Sequence, residues 1–382
     1  VAREFSIPTF YRSPIVSTLK KSRAKSDPRK KDLSPTVIEH PGVRFKLARH
    51  FGFCYGVENA IETAFRALEE NPGKRIFLLS EMIHNPAVNR DLEERGVRFL
   101  MTTDGTPIVP LSEITNDDIV IIPAFGTTVS MLKKLEGIKT YDATCPFVEK
   151  VWTRARQLGA QGYTIIIHGK HYHEETKATF SRAVLAGPSI IVRDRAEAER
   201  LAHYIKGGDG DFYEEFKGKY SEGFDPRRDL KKIGVVNQTT MLANETIEIA
   251  EFFREVISSC GDGFHFADTR DTLCYATEEN QSAVLEMVKQ GGDLAIIVGG
   301  YNSSNTTHLA KICAEYLPTY HIKDDSEIIT RDEIRHLKGS DVQISKSWLP
   351  SKPVVDVLIS AGASSPDSLV DSVIKRVAEI VR

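Results

Sequence analysis

Three cysteines stand where a thiol can become a thiolate. Cys145 lies in Asp142-Ala-Thr-Cys145-Pro146, after an extended segment and before residues 147–156, which read as helix. Cys54, in Phe51-Gly-Phe-Cys54-Tyr-Gly, and Cys274, in Asp271-Thr-Leu-Cys274-Tyr-Ala-Thr277, occupy the same kind of strand-to-helix turn. Unpaired amides and the helix dipole at such a turn favour the anionic sulfur. Three like turns far apart in sequence point to one shared metal centre. Zinc competes, but structural zinc sites usually close with paired Cys-x-x-Cys units, and the sequence has none. An ordinary [4Fe–4S] cluster takes four cysteines. Three leave one iron open to act as a Lewis acid on a substrate. The bland alternative is an inert small hydrophobe, which fits Cys313 on a helix and Cys260 at a helix end before Gly261.

Two further groups of residues suggest anion capture and proton transfer. Gly299-Gly-Tyr-Asn-Ser303-Ser304-Asn305-Thr-Thr-His308 lies between a strand and a helix. Glycines allow close backbone approach, hydroxyls and amides donate, and a helix N-terminus favours phosphate. Ordinary N-capping would need one Ser or Asn; three in a row favour a ligand. Gly362-Ala-Ser364-Ser365 offers similar donors on weaker grounds. His173-Glu-Glu175-Thr176 sets a carboxylate beside a histidine, a standard acid/base pair, with a surface charge cluster as its plain alternative. His84, beside Asn85-Pro86, reads on its own as a structural histidine at a strand end.

The elements that must position these residues are βα units. Apolar runs at 75–79, 118–122, 163–167, 189–192, 233–236, 294–298 and 354–359 read as short buried strands, most of them ending in a polar turn. Behind Cys54, Val57, Ala60, Ile61, Ala64 and Leu68 recur at helical spacing. Buried strands alternating with helices argue α/β with mainly parallel sheets, with ligands at the strands' carboxyl ends. Each cysteine turn opens a similar cycle, so three similar α/β domains in pseudo-threefold, trefoil fashion around a central cluster are expected. Their bounds are 46–144, 145–271 and 272–382, after an extension over 1–45. Residues 206–232, Gly-rich and charged, are expected to be a surface insertion or long loop poor in core residues. Residues 20–31 are basic and rich in breakers, which suits a solvated or surface-packed arm or, more sharply, a contact for an acidic protein partner.

Composition narrows the function classes. The 382 residues carry 50 Lys and Arg against 53 Asp and Glu, a net charge of -3 that argues against a general nucleic-acid binder. No apolar run reaches membrane-span length and no secretory pattern is visible at the start. Five sparse cysteines suit a reducing compartment rather than a disulfide scaffold.

Taken together the motifs resemble the LytB/IspH family of 4-hydroxy-3-methylbut-2-enyl diphosphate reductases. The resemblance rests on Phe53-Cys54-Tyr-Gly-Val, Glu81-x-x-His84-Asn85, Asp142-Ala-Thr-Cys145-Pro, Asn237-Gln238-Thr-Thr, Cys274-Tyr-Ala-Thr, Asn302-Ser-Ser-Asn305 and Ala361-Gly-Ala-Ser364. The motifs run in order from about Phe45 to the C-terminus. The N-terminal arm, the His173-Glu-Glu175 form and the middle insertion resemble the plant and cyanobacterial branch more than the shorter bacterial form. The resemblance implies reductive dehydroxylation of an allylic alcohol diphosphate with two electrons and two protons, the last step of the non-mevalonate (MEP) isoprenoid pathway. It implies Cys54, Cys145 and Cys274 as ligands of a [4Fe–4S] cluster and Glu175 as proton source, with Thr239 near the substrate alcohol and Gln238 beside it. It implies His84, His173, Ser303, Ser304, Asn305 and Ser364 around the diphosphate. Reduced ferredoxin or flavodoxin would be the electron donor, in the cytoplasm or alternatively the plastid stroma.

One departure stands out: many members have histidine before Gly126, where this chain has Phe125. An aromatic ring cannot donate to phosphate, and Thr127 or Thr128 is the expected substitute. Two other readings remain open on sequence: an iron–sulfur hydro-lyase, which needs no electron donor, and a binding protein for a phosphorylated ligand with structural cysteines.

Overall fold

The computed structural model describes residues 5–267 and 272–382. Asp271, which opens the third cysteine turn and ends the expected middle domain, lies outside them. The chain forms two compact units, one of residues 1–62, 83–92 and 275–382, the other of residues 63–82 and 93–274.

The first unit is built on a seven-stranded sheet in the order Thr36–His40, Val43–Leu47, Val355–Ala361, Leu294–Val298, Thr319–Ile322, Glu333–Lys338, Asp341–Lys346. Its four middle strands are parallel, with Val298 opposite Ala361 and Ile359 opposite Leu47. Leu294–Val298 is buried along its whole length, as a strand covered on both faces must be. Antiparallel hairpins close both edges, and there burial alternates or fades.

The second unit holds two four-stranded, wholly parallel sheets. One runs Val97–Phe99, Ile76–Leu78, Ile119–Ile122, Lys139–Asp142; the other His265–Ala267, Lys232–Asn237, Thr164–His168, Ser189–Val192. In the latter, Ile166 packs with Phe253 and Leu201 on one face, while Ile165 and Ile167 pack with Val151 and Leu158 on the other. That is the period of two that strand geometry imposes.

One topology recurs. Counted along the chain, both four-stranded sheets of the second unit lie in the spatial order 2-1-3-4, and the four parallel strands of the first unit lie in the same order if Val43–Leu47 is counted last. In the first unit the fourth place is taken not by a C-terminal strand but by Val43–Leu47, which pairs with Val355–Ala361. Each cysteine turn therefore follows a fourth strand: Val43–Leu47 precedes Cys54, Lys139–Asp142 precedes Cys145 and His265–Ala267 precedes Cys274. Strand order reverses between the first and third strands, and ligands of open α/β sheets bind in the crevice at that reversal.

Residues 206–232 differ from expectation. Phe212, Phe216 and Phe224 are buried in the core beside Leu230, and Phe212 stacks on Phe224 with centroids 5.4 Å apart. The stretch is sparse in apolar residues, but each aromatic ring buries a large area, so three suffice to fold it onto the sheet. Cys260 caps the helix Ala243–Ser259, and Cys313 is buried with its thiol pushed up to about 12 by desolvation, both structural as expected.

Candidate active site

In the second unit, the crevice at the reversal of the sheet around Thr164–His168 and Lys232–Asn237 is bordered by the loops that follow these two strands. The first loop enters the helix Glu174–Ala186 with His173 as N-cap; its ring Nδ1 accepts from the Glu175 amide at 3.2 Å. That bond places the proton of a neutral ring on Nε2. Glu175 is 1% exposed. Its Oε1 accepts from the Thr239 amide at 2.6 Å and its Oε2 faces the Thr239 hydroxyl at 3.0 Å. Burial pushes the Glu175 carboxyl up to about 7, against the opposing pull of both Thr239 bonds. Gln238 Oε1 accepts from the Lys170 amide and the Thr176 hydroxyl, each at 3.1 Å, and its Nε2 donates to Thr240. Gln238 thus locks the two loops together and sets Thr239 against Glu175. Sequence reasoning did not single out Glu174, next to Glu175: it accepts a short bond from the Ser80 hydroxyl, and burial raises its carboxyl to about 8. The doubled acid in His173-Glu-Glu175 was the available signal.

In the first unit, the reversal lies between Leu294–Val298 and Val355–Ala361. Ser303 caps the helix Ser304–Ala314, its hydroxyl accepting from the Thr306 amide. Ser304 and Asn305 occupy the first helical turn and are buried. Asn305 Oδ1 accepts from the Ala363 amide at 2.9 Å, tying this loop to the next one. Its Nδ2, also buried, has no protein partner among the described residues. A buried donor left unmatched is costly unless a ligand or water supplies the acceptor. Ser364 donates to the His84 carbonyl at 3.2 Å, and the His84 ring lies 3.2 Å from the Asn302 amide, a contact sequence reasoning did not foresee. Gly300 passes so close that a Cβ there would lie 2.5 Å from the His84 carbonyl. His84, Ser303, Ser304, Asn305 and Ser364 thus gather around one helix N-terminus, where dipole and amides favour an anion.

Loops at strand ends anchor the cysteines. The Cys54 amide donates to Ala363 at 3.2 Å, one residue from Ser364. The Cys145 amide donates to Ala124 at 2.9 Å, and Cys145 is the N-cap residue of the helix Pro146–Ala160. Cys274 lies two residues beyond Thr272, whose hydroxyl bonds to Asn237 beside Gln238. Among the described residues no set of three His, Cys, Asp or Glu side chains comes together as a metal site. The chemistry of the donor set still fits thiolate ligation. None of the five cysteines is in a disulfide, and Cys54, Cys145 and Cys274 each directly precede a helix, a position whose dipole favours the thiolate form that ligates metals.

Phe125 meets His173 edge to face, with ring centroids 5.8 Å apart. The Thr128 hydroxyl is occupied in capping the helix Val129–Lys134. Gly126, at φ +73°, runs against Trp152, where any Cβ would collide at 2.5 Å. Trp152 in turn carries the Arg182 guanidinium on its face at 3.5 Å and donates to Thr179.

Parallel sheets whose reversal loops carry a buried carboxyl group and a cluster of polar side chains at a helix N-terminus define an α/β protein with its buried polar groups at the strand ends. The LytB protein family model matches residues 45–378, and the chain belongs to that family. A Microcystis aeruginosa protein named 4-hydroxy-3-methylbut-2-enyl diphosphate reductase is 41% identical over 89% of this chain and 85% of its own length. A Synechococcus protein of the same name is 42% identical over 89% and 86%. A solved structure of (E)-4-hydroxy-3-methyl-but-2-enyl diphosphate reductase, described as the terminal enzyme of the non-mevalonate pathway, aligns with TM-score 0.53 and 29% identity over 87% of this chain and 98% of its own. The Plasmodium falciparum reductase aligns with TM-score 0.62 at 22% identity, over 88% of this chain and 87% of its own, a likeness of fold.

Proposed function

We propose that this chain is an oxidoreductase that reductively dehydroxylates 4-hydroxy-3-methylbut-2-enyl diphosphate to isopentenyl and dimethylallyl diphosphate, with Cys54, Cys145 and Cys274 as thiolate ligands of a [4Fe–4S] cluster. Membership of the LytB family and the names of its relatives support the reaction class. The observation that carries the reading is the buried Glu175–Thr239 pair, an acid and a hydroxyl kept from water. The cluster, when bound, would supply electrons and a Lewis-acidic iron.

The chain's own residues divide the remaining work. The N-terminus of the helix Ser304–Ala314, with Ser303, Ser304, Ser364, His84 and the unmatched Asn305 amide, would hold the diphosphate. Glu175 would hold a proton: burial pushes its carboxyl up to about 7, well above the usual carboxylate range. In the protonated form the carboxyl donates to Thr239 Oγ1, and the Thr239 hydroxyl passes its own proton to the departing oxygen, which leaves as water. His173 positions Glu175 by taking its amide, and Gln238, bonded to Lys170, Thr176 and Thr240, holds the turn that carries Thr239.

Anaerobic preparation tests the reading directly. Iron and sulfide analysis of the native chain is expected to give about four irons per chain and a brown colour. Cys145→Ser should lose most of both, and the native protein should turn over the diphosphate with a chemical reductant and not without one. A colourless, iron-free native protein would overturn it.

A further inference from the structure

The N-terminal segment carries charge that the proposed chemistry does not use. Residues 20–32 hold seven basic side chains against two acidic ones, in a chain whose net charge is -3. Part of that charge fastens the segment to the first unit. Lys20 pairs with Asp367 at 2.5 Å and donates to the Phe51 carbonyl, Lys30 pairs with Glu279 at 2.9 Å, and Arg23 pairs with Asp32. The remainder is not spent on the fold. The side chains of Lys21, Lys25, Arg29 and Lys31 are exposed and make no ion pair among the described residues.

The place where this charge is held gives it meaning. The segment, through Lys20, Ala24 and Lys30, forms one wall of a cleft of 290 Å³ whose other walls include Phe53, Cys54 and Tyr275. Lys20 also lies 4.1 Å over the Phe51 ring, which fixes this wall against the turn that carries Cys54. A solvated arm would be expected to wave free of the body; this one is pinned beside a cysteine turn with its unpaired cations facing outward.

We propose that residues 20–31 are the docking surface for a small acidic electron-carrier protein, seated over the cleft that leads to Cys54. The proposal rests on the reductase reading, since only a reduction needs such a partner. Two one-electron deliveries oxidise two carriers; with two protons they break the substrate C–O bond and release water. Complementary charge raises the encounter rate and fixes orientation, and electron transfer needs an oriented approach rather than a large interface. A nucleic acid would also meet the charge, but a chain of net charge -3 is poorly suited to the many phosphate contacts it needs.

The test compares the native chain with the triple variant Lys21→Glu, Arg29→Glu, Lys31→Glu, using two reductants. Binding of oxidised [2Fe–2S] ferredoxin is measured by calorimetry at low and high salt, and turnover is measured with reduced ferredoxin and with reduced methyl viologen. Charge reversal is expected to weaken ferredoxin binding and the ferredoxin-driven kcat/KM by about tenfold or more at low salt and to flatten their salt dependence. The viologen-driven rate should be unchanged. Native-like ferredoxin binding in the variant would overturn the proposal. So would equal losses with both reductants, or displacement of ferredoxin by a short DNA duplex in the native chain only. If the native chain has no viologen-driven turnover, the reductase reading itself fails and the docking proposal falls with it. Neutralising variants, Lys21→Gln, Arg29→Gln and Lys31→Gln, should show a smaller effect in the same direction.

Discussion

Glu175 is placed where a carboxyl is both hard to ionise and easy to use. It is buried, and Thr239 engages both of its oxygens. Burial raises its folded pKa to about 7, so it is protonated below that value and loses its proton as pH rises through it. A turnover limited by that proton should therefore fall as pH rises through about 7. Glu175→Gln keeps the shape but not the acid, and should lower turnover roughly 10²- to 10⁴-fold while leaving diphosphate affinity nearly unchanged. A pH series of single turnovers, native against variant, checks both: the alkaline limb should vanish in the variant's residual rate. A variant that keeps the limb would move the titrating group elsewhere, with Glu174, raised to about 8 beside Ser80, the first to examine. At this scale the sequence showed His173 and Glu175 as a pair but not what Glu175 faces. The partner, Thr239, is 64 residues away in the chain, and only strand pairing brings it there.

The two crevices, one in each unit, depend on elements more than on individual donors. In the first unit the loop after Leu294–Val298 runs close to the His84 carbonyl, and Gly300 is what permits it. Gly300→Ala would drive a Cβ to 2.5 Å from backbone, which cannot yield as a flexible side chain would. The expected result is a loop pushed off His84 and affinity for inorganic pyrophosphate reduced roughly tenfold or more, since small misplacements of binding groups cost that much. Titration calorimetry on native and variant protein measures it; an unchanged affinity would separate the loop from anion binding. The strands that border these crevices were legible because buried parallel strands are short unbroken apolar runs: 118–122 became Ile119–Ile122 and 294–298 became Leu294–Val298. The edge hairpin Glu333–Lys338 with Asp341–Lys346 was not, because half-exposed strands mix polar and apolar residues and carry no strong run. The helix behind Cys54 was read from its spacing, and Val57, Ala60, Ile61 and Ala64 are buried on Tyr55–Glu70.

For the molecule as a whole, the telling feature is how a strand from near the start of the chain closes the sheet of its last cycle. Residues 36–47 lie at the start of the sequence, yet Val43–Leu47 pairs in parallel with Val355–Ala361 from residue 43 to residue 47. Local pattern could not show this, because register between strands some three hundred residues apart leaves no trace in either one. The consequence is a sharp boundary for truncation. A chain beginning at residue 34 loses the basic segment and the buried Tyr11 and Val16, but keeps every strand of the sheet. A chain beginning at residue 48 also loses Val43, Phe45 and Leu47, all fully buried. At about 1.5–3 kcal/mol for each buried side chain, their loss alone removes roughly 5–9 kcal/mol, comparable with the whole stability of an ordinary domain. It also strips the edge of Val355–Ala361, the strand whose end carries Ser364 and the carbonyl that holds Cys54. The shorter truncation should therefore fold, with a lowered melting temperature. The longer one should lack a cooperative melt by circular dichroism and be cut rapidly within residues 275–382 by limited proteolysis. Cooperative melting of the chain that begins at residue 48 would mean that the sheet does not need its first parallel strand, and that the cyclic closure is packing rather than foundation.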